Sequence, residues 1–276
     1  MHKSCIALTL FLVFYFGGNA QTIHPPQPIP YLTSGTYSDH FTDVFSFTHN
    51  SSTLSSLQGI SAGVYNERRF LLKELSFYSL ALGFPTGSAG IGVQMDYFGF
   101  AGYNQSKIGL AYGMKLNKTV SVGLQFDYNL FHISGYGNSS AINFEAGICM
   151  HPGGKFTIGL QVFNPVGGKL KKGTDEKLAS IYQTGIGYEA SKQVLICIEI
   201  IKEEDRPVNV NLGLKYIFAN CFFAGIGIET ATASPYGGAG WHWKNFRVDI
   251  AAAYHLQLGF TPSLILVIEI KEKNQE

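Results

Sequence analysis

The sequence is poor in charged residues and, beyond its first residues, contains no long apolar run. Charged side chains make up 14% of the 276 residues, well below the roughly 25% of an ordinary soluble domain. No internal stretch reaches the roughly 18 unbroken apolar residues of a membrane helix. These two absences argue against a cytosolic enzyme and against a helical membrane protein.

The cysteine count and the net charge argue against further classes of protein. Three cysteines follow the leader, Cys149, Cys197 and Cys221, and their odd number and wide spacing fit neither a disulfide framework nor a zinc site. We predict no cofactor and no metal. Loss of the leader removes Lys3 from the 20 basic residues, which then balance the 19 acidic ones. A neutral chain argues against nucleic acid as a partner.

The leader itself predicts export. Residues 1–20 combine a short basic start, an apolar run and the small residues Gly18 and Ala20 before Gln21. This pattern is typical of a secretory signal peptide cleaved after Ala20, and the alternative is an uncleaved anchor helix.

What is abundant is strict alternation of apolar and polar residues. In "VSVGLQFDYNL" (120–130), Val, Leu, Phe and Tyr fall on one side of an extended chain, and Ser, Gly, Gln, Asp and Asn on the other. From residue 58 onward, about fourteen such segments of roughly ten residues follow one another. They lie at 58–67, 74–84, 88–98, 104–116, 120–133, 141–151, 155–163, 180–190, 193–202, 207–218, 221–230, 235–243, 246–257 and 262–270.

The connections between these segments alternate between short and long. Tight turns such as "PTG" (85–87) and "KN" (244–245) alternate with longer connections such as 66–74 and 164–179. A transmembrane antiparallel β-barrel has this pattern, with short periplasmic turns and longer external loops. We therefore predict an all-β barrel at 58–276 in the outer membrane, with both termini of the mature chain periplasmic. The alternative is a secreted soluble β-sandwich, adhesin-like.

In such a barrel the apolar side faces lipid and the polar side faces the lumen, because a charge on the lipid side costs a few kcal/mol. Aromatic residues near strand ends are predicted to form an interfacial girdle: Tyr128, Tyr188, Tyr216, Trp241 and Trp243. The predicted lumen-lining residues are Asp96, Lys115, Asp127, Glu145, Glu189, Glu199, Lys215, Glu229, Arg247, Asp249 and Glu269.

The role of those charges is open at this point. They either form an ion-paired network that fills a narrow barrel or build a cation-favouring, ligand-binding interior. Residues 21–57 are Pro-rich at the start and aperiodic, so they are predicted to be a periplasmic N-terminal segment. This segment plugs the lumen in part or lies under it, and disorder is the alternative for 21–35.

The segments "GVYNERRFLLKELSFYSLALGFPTGSAGIGVQMDYFG", "GLQVFNPVGGK" and "AAAYHLQLGFTPSLILVIEI" resemble small outer-membrane barrels of the Bacteroidota. These barrels are similar to the FadL-type transporters and to the PorV and PorQ barrels of the type IX secretion system. FadL-like barrels carry an early "NPA-x-x-L" segment; here "NSSTLSSL" (50–57) keeps Asn50 and Leu54 and lacks the proline.

The resemblance implies passage or binding of a small, partly hydrophobic ligand. Kinship with PorV and PorQ would instead imply a non-transporting accessory barrel of type IX secretion or gliding machinery, with secretion proteins as partners. No catalytic Ser, His and carboxylate constellation occurs at a recognisable spacing, so we predict no enzyme activity. Besides the lipid bilayer, the predicted partners are a small ligand or those secretion proteins.

Overall fold

Each alternating segment folds into one antiparallel strand in the computed structural model, which describes residues 22–167, 177–218 and 221–270. The predicted signal peptide (1–20) lies outside the described residues. Among the residues described, none of the helices combines the length and the apolar character needed to cross a membrane. The fourteen long strands, here β1 to β14, are Ile60–Arg68, Ser76–Thr86, Ala89–Phe100, Tyr103–Lys115, Val120–Ile133, Gly137–Met150, Phe156–Phe163, Ile181–Ser191, Val194–Glu203, Asn209–Phe218, Phe222–Glu229, Ser234–Trp243, Phe246–His255 and Gly259–Ile270.

The strands pair in chain order, and the ring closes where β14 meets β1. Ile270 pairs with Ile60 and Ser263 with Glu67 across that seam. All fourteen pairings are antiparallel, so the sheet is one up-and-down barrel. The predicted fourteen-stranded antiparallel barrel is therefore confirmed, and the alternative of a β-sandwich is wrong, because a sandwich has strand edges that this ring removes.

The two faces of the barrel differ as the alternation predicts. In β5, Phe126 is 63% exposed on the outside, whereas its neighbours Gln125 and Asp127 are buried on the inside. On β6, Ile142 is 70% exposed and the adjacent Asn143 is buried. A soluble barrel would bury its apolar side chains inside. Here they form the outer surface, as in membrane barrels, whose outer face contacts the hydrocarbon tails of lipids.

The barrel has two distinct ends, which we call the turn end and the loop end. The turn end carries the first residue of β1, Ile60, and the last residue of β14, Ile270. It also carries tight connections such as 87–88, 192–193 and 244–245. The loop end carries the longer connections at 69–75, 164–180 and 204–208, together with one two-residue connection at 101–102. The predicted alternation of connections holds only in part, because the loop-end connections 134–136 and 256–258 are shorter than the turn-end connections 116–119 and 151–155.

Residues 22–57 run through the inside of the barrel from the loop end to the turn end. Thr22–Ile23 pairs in parallel with Lys177–Leu178, inside the 164–180 connection of the loop end. The chain then forms a short α-helix, Pro30–Thr33, and three 3-10 helices, Ser34–Tyr37, Val44–Thr48 and Ser51–Ser56. Nearly all of their residues are buried. We call residues 30–57 the plug and residues 24–29 the strap.

This path corrects the prediction that both mature termini lie on one side. Thr22, the first described residue, sits at the loop end, where its hydroxyl donates a hydrogen bond to Asp205 (2.7 Å). Ile270, the last described residue, lies at the turn end. The alternation of connections carries no information on an aperiodic segment that crosses the lumen before the first strand. The Pro-rich start is also ordered against the barrel rather than free of it.

The outer surface generates a direct test. Phe126→Arg places a charge near the middle of β5 on the outward face, where a charged side chain at the bilayer midplane costs about 2–4 kcal/mol. We expect this variant to insert poorly into lipid vesicles and to lose the compact migration of the unboiled barrel on gels. Tyr136→Arg, at a residue 91% exposed in the loop after β5, is the control and should behave as the wild type. Equal insertion of both variants would contradict a lipid-facing outer surface.

Candidate functional site

The plug packs against the barrel wall through an apolar core near the turn end. Val44, Phe45, Phe47 and Leu54 are each at most 1% exposed. They contact the inner faces of β1 to β4, where Ala81 and Ala111 are equally buried. Because an apolar chain segment fills the lumen here, this part of the interior is packed rather than wet.

Glycines on the inner face of the strands make room for the plug. A Cβ atom at Gly63 would collide with the ring of Phe45, and one at Gly185 would collide with the ring of Tyr37. At Gly187 the added atom would overlap the backbone carbonyl oxygen of Tyr37. These positions lie inside regular strands, so their glycines serve close approach of the plug rather than a turn.

Asn50 ties the plug to β6 and β7. Its side-chain Nδ2 donates to the backbone carbonyls of Ile148 and Leu160, both at 3.2 Å. Its Oδ1 accepts hydrogen bonds from the backbone N–H and the hydroxyl of Ser52. Asn50 thereby caps the last 3-10 helix of the plug, Ser51–Ser56. The two residues singled out in "NSSTLSSL" thus have structural roles: Asn50 bridges two strands and Leu54 is fully buried.

Glu199 of β9 is a buried junction between wall and plug. It accepts hydrogen bonds from the Tyr37 hydroxyl (2.5 Å) and from the Asn211 amide (2.9 Å), and it contacts Nε2 of His49. Burial raises the pKa of Tyr37, with the neighbouring Glu199 carboxylate adding to the effect. The phenol therefore remains a hydrogen-bond donor at any physiological pH.

A second junction forms at Glu189, near the turn end of β8. Its carboxylate contacts the Ser38 hydroxyl, accepts the backbone N–H of Asp39 (2.7 Å) and meets Nδ1 of His40 (2.5 Å). Further along the wall, Asp43 of the plug pairs with Arg247 of β13 at 2.6 Å. The same carboxylate caps the second 3-10 helix by accepting the backbone N–H of Phe45 at 2.8 Å.

Histidine–carboxylate pairs recur at this interface. His24 of the strap lies 2.6 Å from Glu203, and Asp39 of the plug lies 3.0 Å from Nε2 of His151 in the β6–β7 turn. The hydrogen bond from His151 holds the pKa of the Asp39 carboxyl below its ordinary value, against the effect of partial burial. Asp39 is about half exposed, 53% by side chain, so solvent screens this pair.

The inner wall formed by β3 to β7 is polar rather than glycine-rich at its loop-end half. Lys107 lies between Asp96 (3.5 Å) and Glu145 (3.7 Å). Asp127 accepts hydrogen bonds from the amides of Gln125 and Asn143, both at 2.8 Å. This network satisfies charges that would otherwise be costly to bury.

The structure places the predicted lumen-lining residues as follows. All but Lys115 are buried or half-buried on the inner face. Lys115, the last residue of β4, has the parity of the inner face but is exposed at the turn end, at the rim of the lumen. Those buried are Asp127, Glu145, Glu189, Glu199, Lys215 and Asp249, and those half-buried are Asp96, Glu229, Arg247 and Glu269.

Several functional contacts were missed by the sequence analysis. Lys107 and Lys115 lie an even number of residues apart in β4, so their side chains are on the same face of the strand. The alternation alone could therefore have predicted that Lys107 faces the lumen. The partners of Glu189 and Glu199 on the plug are some 150 residues away in sequence, and no local pattern indicates such pairs. Glu67, which pairs with Arg69 and accepts the backbone N–H of Ile29, was also not predicted.

The predicted girdle residues all lie on the outer face. The ring of Tyr188 is tilted against that of Phe156 (centroids 4.9 Å apart), and Trp241 stacks on Trp243 (6.1 Å), both pairs at the turn end. Tyr216 lies in the same band, next to Phe218. Tyr128 differs because it lies close to the middle of β5.

Two cavities lie on the loop-end side of the plug. The larger, of about 720 Å³, is lined by the strap and by residues at the loop end of most of the strands; we call it the vestibule. The smaller, of about 60 Å³, lies deeper against the polar wall, beside Asp96, Lys107 and Glu145. Residues 25–28 of the strap line both cavities and lie between them, together with Thr33 and His49 of the plug and Gln105 of β4.

Comparisons with known proteins place this fold. The sequence matches no protein-family model and no curated protein. Among solved structures, the toluene transporter TodX of Pseudomonas putida superposes with a TM-score of 0.64 at 8% identity, covering 84% of this chain and 95% of that one. A FadL homologue of Pseudomonas aeruginosa gives a TM-score of 0.52 at 10% identity, covering 82% and 94%. At such identities the likeness shows a shared fold.

The glycine contacts yield a prediction about the plug. Gly187→Ala adds a methyl group where the backbone of Tyr37 lies, so the plug must shift while the strand can keep its pairing. We expect higher conductance in planar bilayers and faster proteolysis between residues 30 and 57. The control is Gly237→Ala on the outer face, where the nearest atom to the new Cβ is 3.2 Å away. Wild-type conductance and proteolysis in Gly187→Ala would contradict this packing.

The pair of Asp39 with His151 yields a pH dependence. Because the folded-state pKa of Asp39 is lowered, its contribution to stability is present at neutral pH and is lost as pH falls through the folded value. Asp39→Asn should therefore destabilise the protein slightly at pH 6, and the difference from the wild type should shrink as pH falls below the ordinary aspartate pKa of about 3.9. Chemical unfolding in detergent at several pH values measures it. A difference that grows on acidification would contradict the assignment.

Proposed function

We propose that this protein is an outer-membrane barrel that binds or passes a small, partly hydrophobic ligand, with the vestibule as its first binding site. The observation that carries the proposal is the vestibule itself. Its volume of about 720 Å³ falls within the roughly 300–1,000 Å³ of small-molecule sites. It opens at the loop end, which is the external end if the tight turns are periplasmic.

The lining of the vestibule suits a ligand with both apolar and polar parts. Phe70, Phe98 and Leu258 offer apolar surface, and the prolines of the strap add a rigid wall. Asn209 and Asn211 offer hydrogen-bonding groups on another side. The fold shared with a toluene transporter and a FadL homologue supports a role in handling apolar solutes.

A second candidate function is that of an accessory barrel without transport, as part of secretion or gliding machinery. The plug favours it, since Val44, Phe45, Phe47 and Leu54 fill the turn-end half of the lumen. Neither cavity is lined by residues of the turn end. For transport, the plug or the strap would have to move; an accessory barrel needs no such step.

A matched pair of variants tests the proposal. Ala253 lines the vestibule, whereas its neighbour Ala252 points outward from the same strand. We expect Ala253→Trp to fill the cavity and abolish binding of small amphipathic aromatic solutes, measured by saturation-transfer NMR on the detergent-folded protein. Ala252→Trp should bind as the wild type does, because its indole lies in the lipid-facing surface.

Each outcome separates the two functions. Binding by the wild type that is lost only in Ala253→Trp supports the vestibule as a ligand site. If the wild type binds none of the solutes, the ligand-binding proposal is wrong. In that case loss of surface-protein secretion in a deletion strain would support the accessory role.

A further inference from the structure

The charges around the vestibule are already paired, with one exception. Arg69 donates from Nε to Glu67 (2.6 Å), and Arg206 pairs with Glu203 at 2.9 Å. Glu203 also meets His24 of the strap. The two arginines of the lining are therefore each engaged by a carboxylate, and neither is free to neutralise a ligand anion.

Glu229 of β11 is the exception. Its described hydrogen bond comes from the Asn209 amide (3.0 Å), and no cationic group of the described residues lies within 4 Å of it. His255 lines the same cavity, but its Nδ1 accepts hydrogen bonds from the backbone N–H groups of Gln257 and Leu258, which requires that nitrogen to be unprotonated. Arg69 and His255 are near enough for their charges to act on Glu229 electrostatically, but neither pairs with it directly. A carboxylate on the wall of a ligand-sized cavity thus lacks a cation in direct contact.

The surroundings of Glu229 supply neutral polar groups. Asn209 donates its amide to Asn211 as well (3.3 Å), and the hydroxyls of Thr232, in the β11–β12 connection, and Ser234, the first residue of β12, lie 2.7 Å apart. All four residues line the vestibule. Amide and hydroxyl oxygens accept hydrogen bonds from an ammonium group, which carries three donors and no acceptor.

The rest of the lining sets the shape of the ligand. Phe70, Phe98 and Tyr103 lie in the same cavity and offer aromatic surface to an apolar body. Arg69 already lies over the ring of Phe98 at 5.1 Å, so this face of the cavity holds a cation at an aromatic ring. The deeper wall adds negative charge, since Asp96 and Glu145 share one lysine.

We propose that the vestibule selects amphipathic cations: an ammonium head group bound at Glu229, Asn209 and Asn211, with a small apolar or aromatic body against Phe70 and Phe98. This inference rests on the proposed ligand-binding function and narrows its ligand class. A carboxylate head group would be repelled by the Glu229 carboxylate, and both arginines of the lining already pair with other carboxylates. A pure hydrocarbon would bury the polar wall without satisfying it.

Three probes with one aromatic body and different head groups test the selection: benzylammonium, benzoate and benzyl alcohol. Their dissociation constants are measured by NMR titration of the detergent-folded wild type at low ionic strength. We expect benzylammonium to bind about tenfold more tightly than benzoate or benzyl alcohol, the usual size of a charge-assisted hydrogen bond. Its affinity should fall as salt rises, whereas that of benzyl alcohol should not.

Glu229→Gln removes the charge and keeps the shape. It should abolish the preference for benzylammonium and leave benzyl alcohol unchanged. Glu269→Gln makes the same chemical change at the turn end, outside the vestibule, and should preserve the preference. Compact gel migration before boiling checks that both variants fold; if Glu229→Gln fails this check, the salt dependence of the wild type decides.

The outcomes distinguish this inference from the proposed function. Equal affinities for the three probes, or a preference for benzoate, would overturn the cation selectivity while ligand binding stands. Failure of all three probes to bind would overturn both. Preference for benzylammonium that persists in Glu229→Gln would place the cation elsewhere and overturn the site.

Discussion

Closure of the sheet is the constraint on which the rest of this structure depends. In hydrocarbon, each unpaired backbone N–H or C=O group is costly, so strands can cross a bilayer only when every one has two partners. Fourteen strands achieve this in a simple ring. Yet a barrel of about eight strands is already filled by its own side chains, so a fourteen-stranded ring encloses more space than its inward residues can occupy. Water or another part of the chain must fill the remainder.

Here the chain itself fills the turn-end half. The plug is apolar where it meets small inward residues such as Gly63, Ala81 and Ala111, and polar where it meets Glu189 and Glu199. The inward face therefore has two compositions along the barrel axis. Toward the turn end, glycine and alanine leave room for plug side chains. Toward the loop end, longer polar residues such as Gln94, Lys107 and Gln161 line a space that no plug residue fills. The same alternating strands thus produce a sealed half and an open half.

The barrel was predictable from the sequence because strand alternation is a local property. In a pattern such as 120–130, the position of each residue indicates which face of the sheet its side chain occupies. The fourteen predicted segments therefore lie close to the fourteen observed strands. Contacts of the plug are different: Asn50 meets residues about a hundred positions away, and its segment has no period to reveal an orientation. The inward glycines were visible in the sequence, but their purpose depends on Tyr37 and Phe45, which only the folded lumen brings to them. The pairing of strap and wall, and with it the loop-end position of Thr22, has the same non-local origin.

Burial also indicates which part of the internal segment can move at low cost. Phe45, Phe47 and Leu54 are at most 1% exposed and are packed on several strands, so displacing them exposes apolar surface and leaves a cavity. The strap is only partly buried and borders a cavity on each side. Its described polar contacts are few: His24 with Glu203, the Gln27 carbonyl with Arg69, and the backbone N–H of the buried Ile29 with Tyr65 and Glu67. The strap borders both the vestibule and the deeper chamber, together with Thr33, His49 and Gln105, so its displacement would widen the connection between the two spaces while the apolar core of the plug stays in place. A ligand captured at the loop end would then reach the polar wall at Asp96 and Lys107 before any apolar contact of the plug had to break.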